Sequence, residues 1–487
     1  LRKAVLASDP NFSSAVSRLE TLFDEKTAKE TPDAASNPMV EGLSIKWIRE
    51  RLKKNRSIDP AVLKLQKKAQ WTGFAKIPVD AKILARHNDR YTTELPVGRV
   101  TDQKESGRCW IFAGLNMIRS TLIARGKVAK NFEFSENHLY YFSQLERSNR
   151  YLEKVVKQAY TQGEAPQTAW ALAPLAPNIG DGGNFAGFQF LVEKYGLLPK
   201  SAMPETKSSG ATSTLDSELN ASLADTVKEL AIDARRVAKP GAAKNRAQEI
   251  REKGISRVMK ILSAHLGTPP DRFEYASKAG RKRSYTPRHF ARDFVGYKFD
   301  DYVQAGSWPH AKRGELYELQ DSALGAPGPK KRATNYRHLN VDIDRLEELS
   351  IKSLKAGRPV YIYVAIGDGV DNKTGIMHPR IKDHESIYGL LNREKSAKLT
   401  RAEAVYLGRN TGNHLMVLTG FDRPDPKKKV VKFKVENSWS SKSGDRGVYH
   451  MYRQWFRSRL FNIIVDKRFL TKAERATWAA KPTPLVD

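Results

Sequence analysis

A single cysteine stands in 487 residues. That scarcity excludes an intrachain disulfide framework and any zinc site built from several thiolates. His-Glu-x-x-His spacing and similar ligand clusters are also missing, so the sequence calls for no metal and no cofactor. No apolar run reaches the roughly 18 residues that cross a bilayer, and no membrane partner is expected. The opening segment, Leu1 to Pro10, lacks the apolar stretch of a secretory signal. Internal repeats are absent. Acidic side chains are in short supply: 54 Asp and Glu face 84 Lys and Arg, a net charge of +30.

Aromatic residues are plentiful, with 8 Trp, 18 Tyr and 19 Phe, and this rules out a chain disordered throughout. The length suggests roughly two to four domains. The basic excess is spread out, from +3 over residues 101–200 to +11 over residues 341–487. It is therefore not a basic tail on a neutral body. Such a field attracts polyanions in a salt-dependent way, so non-specific nucleic-acid contact through a basic surface is one expectation. The clusters Arg281-Lys282-Arg283, Lys330-Lys331-Arg332 and Lys427-Lys428-Lys429 lack interleaved aromatics and read more simply as charged loops.

Four stretches organise the chain. Residues 1–70 form a polar N-terminal extension expected to wrap the body. Its amphipathic helix lies around Leu43, Trp47 and Leu52, punctuated by Asn37-Pro38 and Asp59-Pro60. Residues 71–210 hold a strong helix over 109–125, where Ile111, Leu115, Ile118 and Leu122 recur at helical spacing before Gly126. Residues 211–340 read as helical. Leu215, Leu219, Leu223, Val227 and Leu230 make one stripe, and Ile250, Val258, Ile261 and Leu262 make a second beyond Lys239-Pro240-Gly241. An exposed loop is expected over 320–335. Residues 341–487 are rich in strands. Val360–Val364 reads as buried, Leu415–Leu418 and Val430–Val435 as neighbours, with Lys432 and Lys434 on a wet face.

Cys109 sits at the mouth of the 109–125 helix. Unpaired N–H groups and the partial positive charge of a helix start favour thiolate over thiol. Gln103, six residues earlier, can place an amide donor beside it. With the Cys109 backbone N–H, that makes the layout of an oxyanion hole. A thiolate nucleophile needs a base, and the base needs an orienter. Of ten histidines, His414 stands out at the start of an apolar strand, whereas His87, His338, His378 and His384 read as surface residues. Asn437 shares the parity of Phe433 and Val435, so it points inward, and its amide oxygen can accept from the imidazole. Trp439 can shield that hydrogen bond from water.

In order, these are Gln-x5-Cys-Trp, Asn-His on a strand, and Asn-Ser-Trp followed by Gly444 and Gly447. The set resembles the papain-like cysteine peptidases, most closely the bleomycin hydrolase and aminopeptidase C branch. The likeness also covers Asp181-Gly182-Gly183 and Leu191 to Gly196, and extends more weakly across residues 70–487. From Cys109 to His414 the chain runs 305 residues, against roughly 130–150 in ordinary papain-type enzymes.

The resemblance implies an α+β papain-like fold, with a helical domain carrying the cysteine and a β-barrel-like domain carrying His and Asn. In that branch surplus length of this kind builds a large helical insertion that makes subunit contacts, and the resemblance implies the same here. Cys109 is then the nucleophile, His414 the general base and acid, Asn437 the orienter and Gln103 the oxyanion donor. Asp181, Gly182, Gly183 and Trp439 fall to the substrate cleft. Peptides and bleomycin-like amides are the implied substrates, and a homohexameric ring the implied assembly. In this branch a C-terminal arm of Trp-Asp-Pro-Met-Gly type enters the cleft and restricts the enzyme to amino ends. The sequence reads Lys481 to Asp487 where that arm would begin, so an open-cleft endopeptidase is the alternative expectation. A basic nucleic-acid-binding protein with secondary peptidase activity is another. A lone catalytic thiol suits the cytoplasm, and the opening Leu1 leaves room for a targeting segment removed upstream.

Overall fold

A computed structural model of the chain describes residues 44–55, 60–73, 79–161, 177–236, 240–278, 280–319, 336–367, 369–382 and 399–484. The Asn37-Pro38 break, the 320–335 loop with its Lys330-Lys331-Arg332 run, and His384 lie outside them. Helices α1 (Ile45–Asn55) and α2 (Pro60–Thr72) belong to the N-terminal extension. Trp47, Leu52 and Trp71 are exposed on them. Ala69 of α2 is buried.

Helix α3 (Cys109–Ala124) is buried on every side from Cys109 to Leu122. The single apolar stripe in its sequence understated this, because Asn116, Arg119, Ser120 and Thr121 are buried as well. A helix with no wet face is a core helix. It lies among α4 (Glu136–Thr161), α5 (Phe185–Tyr195) and the sheet. Gly126, at φ +69°, ends it in the left-handed conformation that glycine adopts freely. Helices α6 (Ser213–Arg236) and α7 (Pro240–Leu266) pack on each other and on α4. The predicted stripe Leu215, Leu219, Leu223 and Leu230 is fully buried there.

The long helices of the 211–340 stretch end at Leu266, and the helical turns described beyond it are short, over Pro287–His289, Phe290–Val295 and Phe299–Asp301. A hairpin of β2 (Phe273–Ala276) and β3 (Lys282–Tyr285) follows. Then β4 (Tyr302–Gly306), β5 (Leu316–Leu319) and β6 (Tyr336–Asn340) join the main sheet. Strands of four or five residues hold too few alternations to stand out after two long helical stripes.

The main sheet also contains β1 (Thr93–Glu94), β7 (Val360–Val364), β8 (Ile376–Met377), β9 (His414–Asp422), β10 (Lys432–Glu436), β11 (Val448–Tyr452), β12 (Leu460–Asp466) and β13 (Thr483–Pro484). Its order is β13-β5-β6-β4-β12-β7-β9-β10-β11-β8, with β1 paired to β9. Helix α8 (Ile343–Lys355) covers it with Leu346, Leu349 and Leu354. Lys432, expected on the wet face of β10, is fully buried. Its ammonium is met by Asn88 at 2.8 Å and Asp422 at 3.4 Å, and it lies 5.0 Å from the Tyr91 ring centroid.

Pairing of β9 with β10 is antiparallel, so the first residue of one lies near the last residue of the other. His414 opens β9, and Asn437 follows directly on Glu436, which closes β10. The topology thus delivers both to one end of the sheet, where α3 packs. One ion pair crosses this junction. Arg119 of α3 donates to Glu436 at 2.5 Å, with 1% and 5% of the two side chains exposed. Removing one member of such a pair leaves a buried charge behind. Burial already holds the Glu436 carboxyl above its ordinary range, with Arg119 opposing. The substitution Arg119→Met is expected to lower unfolding free energy by about 3–5 kcal/mol at neutral pH. Without its partner the carboxyl binds a proton more tightly folded than unfolded, so the deficit shrinks on acidification. Urea midpoints at neutral and mildly acid pH measure both effects.

Candidate active site

The loop before α3 is fixed from several directions. Arg108 is fully buried and makes a two-pronged pair with Glu205, at 2.7 and 3.1 Å. Its guanidinium also lies over the rings of Phe112 and Tyr140. The Glu105 N–H donates to the Gly210 carbonyl at 3.0 Å. The Gly107 N–H donates to the Asp181 carboxylate at 2.5 Å, and Thr212 donates to the same oxygen. Residues 205–212 therefore hold the loop that sets the position of Cys109.

On the sheet side, His414 Nε2 meets Asn437 Oδ1 at 2.9 Å. The Ser438 backbone N–H donates to that same oxygen at 2.8 Å. Two donors on one atom fix the amide with its carbonyl toward the ring. The imidazole is then the Nε2–H tautomer, and Nδ1 carries the free lone pair. Trp439 covers the ring, with centroids 4.8 Å apart.

Ser438 also ties in Gln103. Its hydroxyl donates to Gln103 Oε1 at 2.6 Å, and its carbonyl accepts from the Gln103 N–H at 2.9 Å. Gln103 Nε2 donates to the Ser106 carbonyl at 2.6 Å. Its second amide hydrogen has no acceptor among the described residues, which leaves it for an incoming oxygen. Sequence reasoning passed over Ser438, although it stands inside the Asn-Ser-Trp tripeptide.

The electrostatics differ from the simple helix-terminus expectation. Burial pushes the Cys109 thiol up to about 11, and the Asp181 carboxylate adds to this. The N–H groups of Leu415, Trp110 and Cys109 itself pull the other way. The helix start thus favours thiolate as expected, but desolvation outweighs it. The Leu415 contact also sets the sulfur against the first residues of β9. His414 is pushed down to about 4 by burial, with the Asn437 bond opposing. Burial thus penalises the thiolate and the imidazolium, each taken alone.

The residues assigned to the cleft divide. Asp181 spends its carboxylate on Gly107 and Thr212, and its carbonyl accepts from the Trp110 indole at 2.9 Å. It therefore positions the cysteine loop. At Gly183 an added Cβ would meet the Trp110 ring at 2.5 Å, so packing alone requires glycine. Gly182 borders open space, and its carbonyl accepts from Arg147. His338, read as a surface residue, is buried in β6, and burial pushes its imidazole down to about 3. Among the described residues no group of three or more His, Cys, Asp or Glu is placed to hold a metal ion.

A buried thiol at a helix start, set against the first residues of the strand that carries a His–Asn pair, defines a papain-like cysteine peptidase. The chain belongs to the Peptidase C1-like family, whose model matches residues 43–487. It is 29% identical over 437 residues to aminopeptidase G of Lactobacillus delbrueckii subsp. lactis, covering 88% of this chain and 95% of that one. Aminopeptidase C of Streptococcus thermophilus is 32% identical over 405 residues, covering 81% and 86%. The crystal structure of PepW from Lactobacillus rhamnosis HN001 superposes with a TM-score of 0.77 at 30% identity, covering 91% of this chain and 97% of that one.

Hydration of the His414 ring is open to test. The substitution Trp439→Ala admits water to the imidazole and relieves the desolvation that disfavours imidazolium. The His414 titration, followed by NMR, is expected to move up from about 4 toward the ordinary imidazole value near 6.5. An unmoved titration contradicts the shielding role.

Proposed function

We propose that the protein is a cysteine aminopeptidase in which Cys109, His414, Asn437 and Gln103 carry the reaction. The observation that carries this reading is the locked His414–Asn437 pair at the start of β9, beside the thiol. Cys109 Sγ attacks the peptide carbonyl while its proton passes to His414 Nδ1. The carbonyl oxygen becomes an oxyanion, met by the Cys109 backbone N–H and the uncommitted Gln103 amide hydrogen. Collapse of the tetrahedral adduct breaks the C–N bond, and His414 returns the proton to the leaving amine. A water then attacks the thioester with His414 as base, releasing the acid and restoring the thiol. Proton transfer in step with attack suits a buried pair, because neither charge has to exist alone in the resting site.

The names of the relatives support action at amino ends, and the resemblance extends the reading to bleomycin-like amides. A homohexamer, a cytoplasmic location and loose polyanion affinity belong to the same proposal. They rest on the resemblance and on the +30 charge. Size-exclusion light scattering reads the assembly.

The test uses aminoacyl fluorogenic amides with free and with blocked amino groups. The parent protein is expected to cleave the free-amine substrates, and Cys109→Ala to lose that activity. A thiol alkylator is expected to label Cys109 and inactivate the parent. Failure of the parent on every substrate, with Cys109 alkylated no faster than a free thiol, overturns the peptidase reading. Rapid cleavage of blocked peptides replaces the aminopeptidase with an open-cleft endopeptidase.

A further inference from the structure

Asn437 has two ends, and the mechanism uses only one. Oδ1 serves His414 and Ser438. Nδ2 is buried and has no hydrogen-bond partner among the described residues. Tyr449 lies on that side: burial raises its phenol, and the Asn437 amide opposes this by favouring the charged form. Tyr449 is fully buried in β11, opposite Val435 in the β10–β11 ladder. Asn437 lies two residues beyond Val435 on the same face, so Tyr449 is its diagonal neighbour, within reach of a long side chain.

The hydroxyl is itself held. It donates to Asn372 Oδ1 at 3.0 Å and is hydrogen-bonded to Ser443 Oγ at 2.6 Å. A phenol has one donor and two acceptor sites. With its proton on Asn372 and one lone pair on Ser443, a single lone pair is left on the side of Asn437. Its anchors are tied together, since the Gly444 N–H donates to the Asn372 carbonyl at 2.7 Å. Gly444 also closes tightly on the ring, where an added Cβ would meet Tyr449 at 2.8 Å. Trp439 packs edge-on against the same ring, 5.9 Å between centroids. The tyrosine thus packs on the residue that shields the His414 ring and lies diagonal to the orienter.

We propose that Tyr449 is a positioning residue of the catalytic site. Its remaining lone pair is the acceptor offered to the Asn437 Nδ2–H, and closing that hydrogen bond keeps Oδ1 on the His414 ring. Ser438 fixes the amide from one end and Tyr449 from the other. This role rests on the peptidase mechanism above.

A double-mutant cycle tests it on the full chain, read both as hydrolysis and as the rate of Cys109 alkylation by iodoacetamide. The substitution Tyr449→Phe keeps the ring and removes the hydroxyl. It is expected to lower kcat about three- to tenfold with KM unchanged. In an Asn437→Ala background the same substitution is expected to cost nothing further, because the group through which Tyr449 acts is gone. Equal losses in both backgrounds, or an unchanged kcat in the single variant, overturn the proposal. Should Tyr449→Phe fail to fold, Ser443→Ala loosens the same hydroxyl and enters the same cycle. An inactive parent would instead overturn the peptidase reading, so the two failures are distinct.

Discussion

Asn437 Oδ1 accepts from the His414 ring at 2.9 Å and from the Ser438 backbone at 2.8 Å. An amide turned end for end would set its NH2 against both donors, so one orientation holds. That orientation selects the Nε2–H tautomer of His414 and leaves Nδ1 as the base. Ser438 extends the order to Gln103, fixing the oxyanion donor from the same residue that fixes the orienter. Base and oxyanion donor are thus parts of one hydrogen-bonded unit, whose geometry is set before any substrate arrives.

Burial gives this unit its force and its difficulty. A dry site strengthens every hydrogen bond in it and penalises every lone charge. The thiol is pushed up and the imidazole down, and the helix terminus behind Cys109 does not reverse that. The thiol must also be held near β9 by parts of the chain far away in sequence. Arg108–Glu205 and Gly107–Asp181–Thr212 fix the loop from the helical side, and Arg119–Glu436 spans the junction. Burying two arginines is tolerable only because each has a carboxylate partner.

Much of the site was legible because its chemistry forces residue type and order together. A lone cysteine before a helical stripe, a histidine opening a strand and an inward-pointing asparagine closing the next one fix a geometry that few other sequences share. Ser438 was hidden because its role depends on backbone groups that carry no sequence label. Tyr449 was hidden because a tyrosine in an alternating strand is ordinary until its hydroxyl is seen held by Asn372 and Ser443 beside the Trp439 ring. Asp181 and Gly183 were visible as a motif but not in their roles, which come from contacts with Gly107 and Trp110 across the fold. Helices α3, α6 and α7 followed from periodicity, whereas α4 and α5 were not read from the sequence. The short strands of the 302–340 stretch did not, since their pairing partners lie more than a hundred residues onward in β12 or across residues outside the description.

The central claim is the tautomer. Nitrogen-15 shifts of the His414 ring at neutral pH, in protein labelled at histidine, report directly which nitrogen carries the proton. The account predicts a protonated Nε2 and a bare Nδ1, with the Nε2 proton lost from its characteristic position when Asn437 becomes alanine. A proton on Nδ1 with a bare Nε2 in the parent protein would contradict it, because the ring would then donate nothing to Asn437 and present no base to Cys109.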